Sequence, residues 1–246
     1  MSDAVPGTPV GAPLMDRLYR HQRHIYDLTR KHYLLGRDQL ITGLQPPPGS
    51  RVLEIGCGTA RNLVRAARRY PDVEFYGIDI SVEMLETARK AVVCEGLTAH
   101  IQLAQADATR FDPALLFGVP SFARIFVSYS LSMIPAWPAV LATAVQWLAP
   151  GGELHIVDFG GQERLPAAFR ILLRGWLRQF HVQPCDELER ELRRLALPFR
   201  LERPFCGYAQ YAVVRQSKEP QAGRFPHGPS APGTSGEALA SHAGRC

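Results

Sequence analysis

The chain has no apolar run approaching the roughly 20 residues that cross a bilayer, so no transmembrane helix is expected. Its opening, MSDAVPGTPVGAP, lacks the charged-then-apolar order of a signal peptide, and a cytoplasmic location is the expectation. Cysteine is sparse and scattered. The five (Cys57, Cys94, Cys185, Cys206, Cys246) are odd in number and form no CxxC pair, which argues against a disulfide framework and against a zinc site. Excess charge is small: 28 Lys and Arg against 23 Asp and Glu leave +5 over 246 residues. A balance of that size is compatible with an anionic partner such as nucleic acid or a lipid surface but does not require one.

What is present is more informative. Arginines gather at 17, 20, 23, 30 and 37 and again at 164, 170, 174, 178, 190, 193 and 194, while the middle of the chain is nearly balanced. The length and the 46% hydrophobic content suit one α/β domain. Residues 1–13 and 216–246 are rich in Gly, Pro, Ala and Ser and read as disordered ends of a domain spanning 14–215. Within it the pattern alternates: helix about 14–43, strand RVLEIG, helix 59–70, strand VEFYGID, helix 81–93, strands HIQLAQAD and RIFVSYS, helix 138–148, strand ELHIVDF. Helices near 164–180 and 186–195 follow, then the β-like runs FRLERPF and YAQYAVV, which predict an antiparallel hairpin on the sheet edge. Strands separated by helices predict an α/β fold with a doubly wound, mostly parallel, seven-stranded sheet, preceded by an N-terminal helical lid.

In RVLEIGCGTARN a β-branched strand ends at Gly56, and Gly56 and Gly58 open the turn into a helix. Ligands of open α/β sheets bind at that end of the strands, where glycines admit close backbone approach and a helix N-terminus favours an anion. Tight turns also use glycine for steric reasons alone, so the loop gains meaning from Asp79. This acid closes the second strand about twenty residues on, where such folds place a partner for ribose hydroxyls. Arg61 in place of a small residue, and a strand carrying Glu54, speak against a dinucleotide.

The ordered motifs E-x-G-x-G-T, G-I-D-I-S, Q-A-D-A and L-A-P-G-G-E-L, over about 51–158, resemble those of class I S-adenosylmethionine-dependent methyltransferases. The resemblance implies that Gly56, Cys57 and Gly58 line the methionine end of the cofactor and that Asp79 holds its ribose. Ile80 and Met84 would pack on the adenine, and Asp107 with Ala108 would reach it. Glu54 would fix the loop or the amino group, with Ser128 and Tyr19 also on the cofactor. The usual third glycine of the loop is Ala60, expected in the first turn of the helix. No metal is required for transfer from a sulfonium, because the leaving group is good and the protein mainly aligns the reactants and excludes water. His21, His24, His32 and His181 supply no complete ligand set.

Acceptor contacts are expected in SYSLSMI after strand four, with Tyr129 among the catalytic candidates. That stretch lacks the Asn/Asp-Pro-Pro-aromatic tetrad of many nucleic-acid base methyltransferases, so no nucleic-acid partner is expected. The basic opening helix carries Tyr19, Tyr26 and Tyr33 along or near one apolar face, where they either staple it to the domain or face a cationic sulfonium or ammonium. Its wording, MDRLYRHQRHIYDLTRKHYLLGRDQLI, with GCGTARN and VDFGGQERLP, resembles the bacterial betaine-lipid methyltransferases, which methylate diacylglyceryl homoserine to the trimethylated lipid DGTS. That resemblance, over roughly 14–215, implies Tyr26, Tyr33 and Arg37 at the active site and Arg30 or Arg37 on the substrate carboxylate. It also implies a lipid-headgroup substrate and a partner enzyme that makes the homoserine lipid. LPAAFRILLRGWLRQFH then reads as a basic amphipathic helix with Phe169, Leu172, Leu173, Trp176, Leu177 and Phe180 on one face. Such a helix either lies peripherally on an anionic inner-membrane face or packs on its own domain. A methyltransferase for another small amine, phenol or quinone, and a non-catalytic cofactor-binding module, are the other readings.

Overall fold

The computed structural model describes residues 34–179 and 182–218. Seven strands form one sheet: β1 (Arg51–Ile55), β2 (Glu74–Asp79), β3 (Ile101–Gln105), β4 (Phe122–Ser128), β5 (Leu148–Phe159), β6 (Phe199–Glu202) and β7 (Ala209–Arg215). Their order is β3-β2-β1-β4-β5-β7-β6. The first five are parallel, and β7 runs antiparallel to both β5 and β6. The predicted hairpin therefore exists, with its second strand inserted between β5 and the edge. The helices are α1 (Arg37–Gly43), α2 (Arg61–Arg69), α3 (Val82–Cys94), α4 (Pro113–Phe117), α5 (Trp137–Gln146), α6 (Ala167–Gln179) and α7 (Leu188–Arg194).

Central strands are apolar on both faces because helices cover both faces. Alternation along each strand divides the core. Val52, Phe75, Phe126 and Val157 pack with α1, α2 and α3 on one side, while Leu53, Ile55, Ile125, Val127 and Ile156 pack with α5 on the other. All five parallel strands point their C-terminal ends to one edge of the sheet, and the turns after β1, β2, β3 and β4 meet there. Ser81 caps α3 as its sequence position suggests, its side chain accepting from Met84 N–H at 3.3 Å.

Three boundaries differ from expectation. Within the predicted helix 14–43, α1 begins only after Gly36, whose φ of 84° breaks any continuous helix there; residues 1–33 lie outside the described residues. β4 stops at Ser128 because Tyr129 turns to φ 56°. β5 starts at Leu148, five residues before the predicted ELHIVDF run. The short α4, capped by Asp112 and opened by Pro113, was not anticipated.

Candidate active site at the C-terminal edge of the sheet

The turn between β1 and α2 is shaped by close approach. A Cβ on Gly56 would stand 2.5 Å from Ser130 Cβ, and its φ of 69° already favours glycine. Gly56 and Cys57 N–H both donate to Ile78 O, at 2.9 and 3.0 Å, tying the loop to β2. Asp79 completes the link: its carboxylate accepts from Gly58 N–H at 2.8 Å and from Ser81 N–H at 2.9 Å. The acid that ends β2 thus also holds the glycine turn against the start of α3.

Beside this turn opens a cleft of about 780 Å³. Gly56, Gly58, Asp79, Ile80, Met84, Asp107, Ala108 and Ser128 all line it, so eight of the eleven residues expected to bind cofactor meet at one place. Asp107 also shapes its own loop, accepting from Thr109 N–H (2.9 Å) and the Thr109 hydroxyl (2.7 Å). Thr59, Ile78, Ala106, Tyr129, Ser130, Met133 and Ile134 complete the lining; the last four belong to the SYSLSMI stretch where acceptor contacts were expected, while Thr59, Ile78 and Ala106 were not singled out. Met133 arrives on a single 3-10 turn, Leu131–Met133, too short to leave a periodic signal.

A second pocket of about 460 Å³ shares Gly56, Gly58, Thr59 and Ser128 with the cleft and continues toward α1. Glu54, Cys57 and Arg37 line it. Glu54 is buried; Asn62 Nδ2 donates to its Oε1 at 2.8 Å, while its Oε2 has no hydrogen-bond partner among the described residues. Burial pushes its carboxyl up to about 8, against the opposing pull of Asn62 and of the Arg37 charge. Asn62 was not singled out from sequence, where it is one polar residue in the first turn of a helix. Cys57 reaches the pocket's wall, but its sulfur lies 3.0 Å from where a Cβ on Gly77 would stand, and burial pushes the thiol well up, leaving it inert.

The remaining expectations divide. Tyr129 does line the cleft, but its hydroxyl donates to Leu35 O at 2.6 Å and is buried. In that geometry it holds the segment preceding α1 instead of presenting a proton to an acceptor. Its ring stacks edge-on against Phe159 at 4.7 Å, and Phe159 against Tyr208 at 5.8 Å. Leu131 and Ser132 of the SYSLSMI stretch turn away from the cleft: Leu131 is in the core, and Ser132 N–H donates to the buried Asp158 at 3.2 Å. Tyr19, Tyr26, Tyr33 and Arg30 lie outside the described residues. Ala60 is not in the helix's first turn but at its N-cap, with φ 62°. Among the described residues no group of three or more His, Cys, Asp or Glu is placed to hold a metal ion.

The sheet order with its one antiparallel strand, the glycine turn and the acid closing β2 define the fold: a Rossmann-like sheet of the kind that methyltransferase domains share. Residues 52–152 match the family model described as a methyltransferase domain. The chain is 32% identical over 142 residues to a phosphatidylethanolamine N-methyltransferase of Cereibacter sphaeroides, covering 55% of this chain and 66% of that protein. It is 31% identical over 121 residues to phosphoethanolamine N-methyltransferase 1 of Arabidopsis thaliana, covering 49% of this chain and 23% of that one. The chain thus spans less than two thirds of either relative. An O-methyltransferase family protein from Burkholderia thailandensis superposes with a TM-score of 0.63 at 15% identity, over 86% of this chain and 65% of that one, a likeness of fold alone.

Proposed function

We propose that the chain is an S-adenosylmethionine-dependent N-methyltransferase that converts diacylglyceryl homoserine to the trimethylated lipid DGTS by successive methyl transfers. The observation that carries the donor half is Glu54 Oε2, a buried acceptor without a hydrogen-bond partner among the described residues, on the wall of a pocket that Arg37 also lines. A free amino acid end fits this pair of charges, its ammonium meeting the Glu54 carboxylate and its carboxylate the Arg37 guanidinium. Asp79 holds the ribose, and Ile80, Met84 and Met133 offer the adenine an apolar slot. When bound, S-adenosylmethionine supplies an electrophilic methyl group on a sulfonium.

The chain's own residues then have three tasks. Tyr129, backed by Phe159 and Tyr208, presents an aromatic wall that suits cations and excludes water. Desolvation there lowers the pKa of an acceptor ammonium toward the neutral amine that reacts. Ser128 Oγ, buried at the junction of the two pockets and without a hydrogen-bond partner among the described residues, is available to orient a polar group. With Arg37 assigned to the donor, Arg30 is the arginine for the homoserine carboxylate.

Support for an amine acceptor comes from relatives whose names describe N-methylation of ethanolamine compounds, one of them a lipid. Support for the homoserine lipid comes from the wording of residues 15–41 and 157–166. The test is incubation of the purified protein with methyl-labelled S-adenosylmethionine and lipid extract containing diacylglyceryl homoserine. Label in a quaternary-ammonium lipid is the expected result. Label confined to water-soluble products would move the chain to another small acceptor, and cofactor binding without any labelled product would make it a non-catalytic module.

A further inference from the structure

The outer face of α6 carries an apolar surface that nothing in the described domain covers. Leu177 is buried, and Leu173 and Trp176 pack against the same core cluster, so these three define the inward side of the helix. Ile171 and Leu172, on the opposite side, are 71% and 70% exposed. Around the helix they sit with Ala168 and Gly175, both exposed, so over its first two turns this face is small and aliphatic. The apolar face predicted from sequence joined Leu172 to the inward residues; the structure separates them, and the outward face is a different one.

Charge says what kind of surface this face meets. From residue 164 to 185 the chain has Arg164, Arg170, Arg174 and Arg178 and no acid. Asp186, the first acid after that run, is engaged by Arg174 at 3.2 Å. Placement adds a third argument. Both ends of α6 are anchored at the edge of the sheet that bears the cofactor cleft: Gln162 N–H donates to Gly207 O before the helix, and Gln183 N–H donates to Ser132 O after it. Ser132 belongs to the same 3-10 turn that sends Met133 into the cleft.

We propose that the chain docks on anionic lipid bilayers through α6, inserting Ile171 and Leu172 into the interface while the acid-free basic run around the helix, with Arg170 beside Ile171, meets the lipid phosphates. Arg164 and Arg174 are held by Arg203 O and by Asp186 and add their charge to the field. Aliphatic insertion with a cationic rim is the chemistry of interfacial helices, and each element contributes in its own way: burial of apolar area sets the depth, and charge selects anionic lipid. Docking by this face brings the cleft edge to the membrane, so a lipid headgroup enters without its tails leaving the bilayer. The inference goes beyond the reaction proposed above and stands without it, because vesicle binding is measured with neither methyl donor nor acceptor.

The experiment is co-sedimentation of the full chain with phosphatidylcholine vesicles containing 30 mol% phosphatidylglycerol, against pure phosphatidylcholine, at low and high salt. The composition is an experimental setting of roughly one anionic lipid in three, chosen to give a strong surface potential. Binding to the anionic vesicles that weakens with salt is expected. The I171S/L172S double variant, both positions lying on the surface, should partition roughly tenfold or more weakly while keeping wild-type S-adenosylmethionine affinity and melting temperature. Equal binding to both vesicle types, or a double variant that sediments like the wild type, overturns the proposal. So does a concentration-dependent dimer, seen by sedimentation equilibrium and lost in the double variant, which would assign the face to a second copy of the chain.

Discussion

Ala60 occupies a position with φ 62°, where an L-residue's Cβ crowds the following carbonyl and glycine does not. Its side chain is fully buried at the start of α2 and contributes little packing beyond one methyl. Ala60→Gly is therefore expected to stabilise the fold by about 0.5–1 kcal/mol, a rise of about 2 °C in a thermal melt for a domain of this size. Tyr129 offers a sharper test at the same scale. Its hydroxyl is committed to Leu35 O, so Tyr129→Phe should cost about 1 kcal/mol in chemical denaturation and change the methyl-transfer rate by no more than about threefold. A loss of about a hundredfold or more in rate with an unchanged cofactor affinity would return Tyr129 to a proton-transfer role.

At the scale of elements, α6 shows what periodicity carries and what it does not. Spacing alone gives a helix with leucines at 172, 173 and 177, and a plausible apolar arc drawn through them includes Leu172. Only the packing of Leu173, Trp176 and Leu177 on the core shows that the inward arc lies elsewhere. Leu177→Ala is expected to destabilise by about 2–4 kcal/mol through the cavity it leaves, whereas Leu172→Ala should stay within about 0.5 kcal/mol. Denaturant midpoints of the two variants decide the assignment: comparable losses would place both residues in the core. The strands were legible for the opposite reason, since runs such as RVLEI and EFYGID are buried on both faces and bounded by turn residues, leaving no choice of side. The cleft was legible wherever a residue ends a strand in sequence, as Gly56, Asp79 and Asp107 do. Within SYSLSMI the inward and outward residues were not legible, because a single 3-10 turn sends Met133 into the cleft and Leu131 and Ser132 away from it, and neither was a meeting of distant elements, as when α1 brings Arg37 to Glu54.

For the whole molecule, buried acids and a buried histidine set opposing slopes of stability against pH. Burial raises Glu54 to about 8 and Asp158 to about 6. Each binds its proton more tightly folded than unfolded, so the stability it contributes is complete below the ordinary carboxylate range and is lost as pH rises through about 6 and then about 8. Glu153 and His155 act in the other direction. A hydrogen bond from His155, with Arg124 and Arg215 nearby, holds Glu153 down to about 2, and burial lowers His155. Their contribution is complete above their ordinary values and is lost as pH falls through the lowered ones. The unliganded chain should therefore lose stability as pH rises from about 5 to about 8. An ammonium placed against Glu54 favours its carboxylate, lowers its pKa and removes most of the alkaline loss. The rise in melting temperature on adding saturating S-adenosylmethionine should then be larger at pH 8 than at pH 6, and binding near pH 7 should release a proton into the buffer, measurable by titration calorimetry in buffers of different ionisation enthalpy. Glu54→Gln keeps the hydrogen bond from Asn62 but cannot ionise, so it should flatten the alkaline slope of the free protein, weaken binding and abolish proton release together. A cofactor-induced shift independent of pH in the wild type would mean that the amino group does not meet Glu54, and the donor would have to be seated the other way round in the two joined pockets.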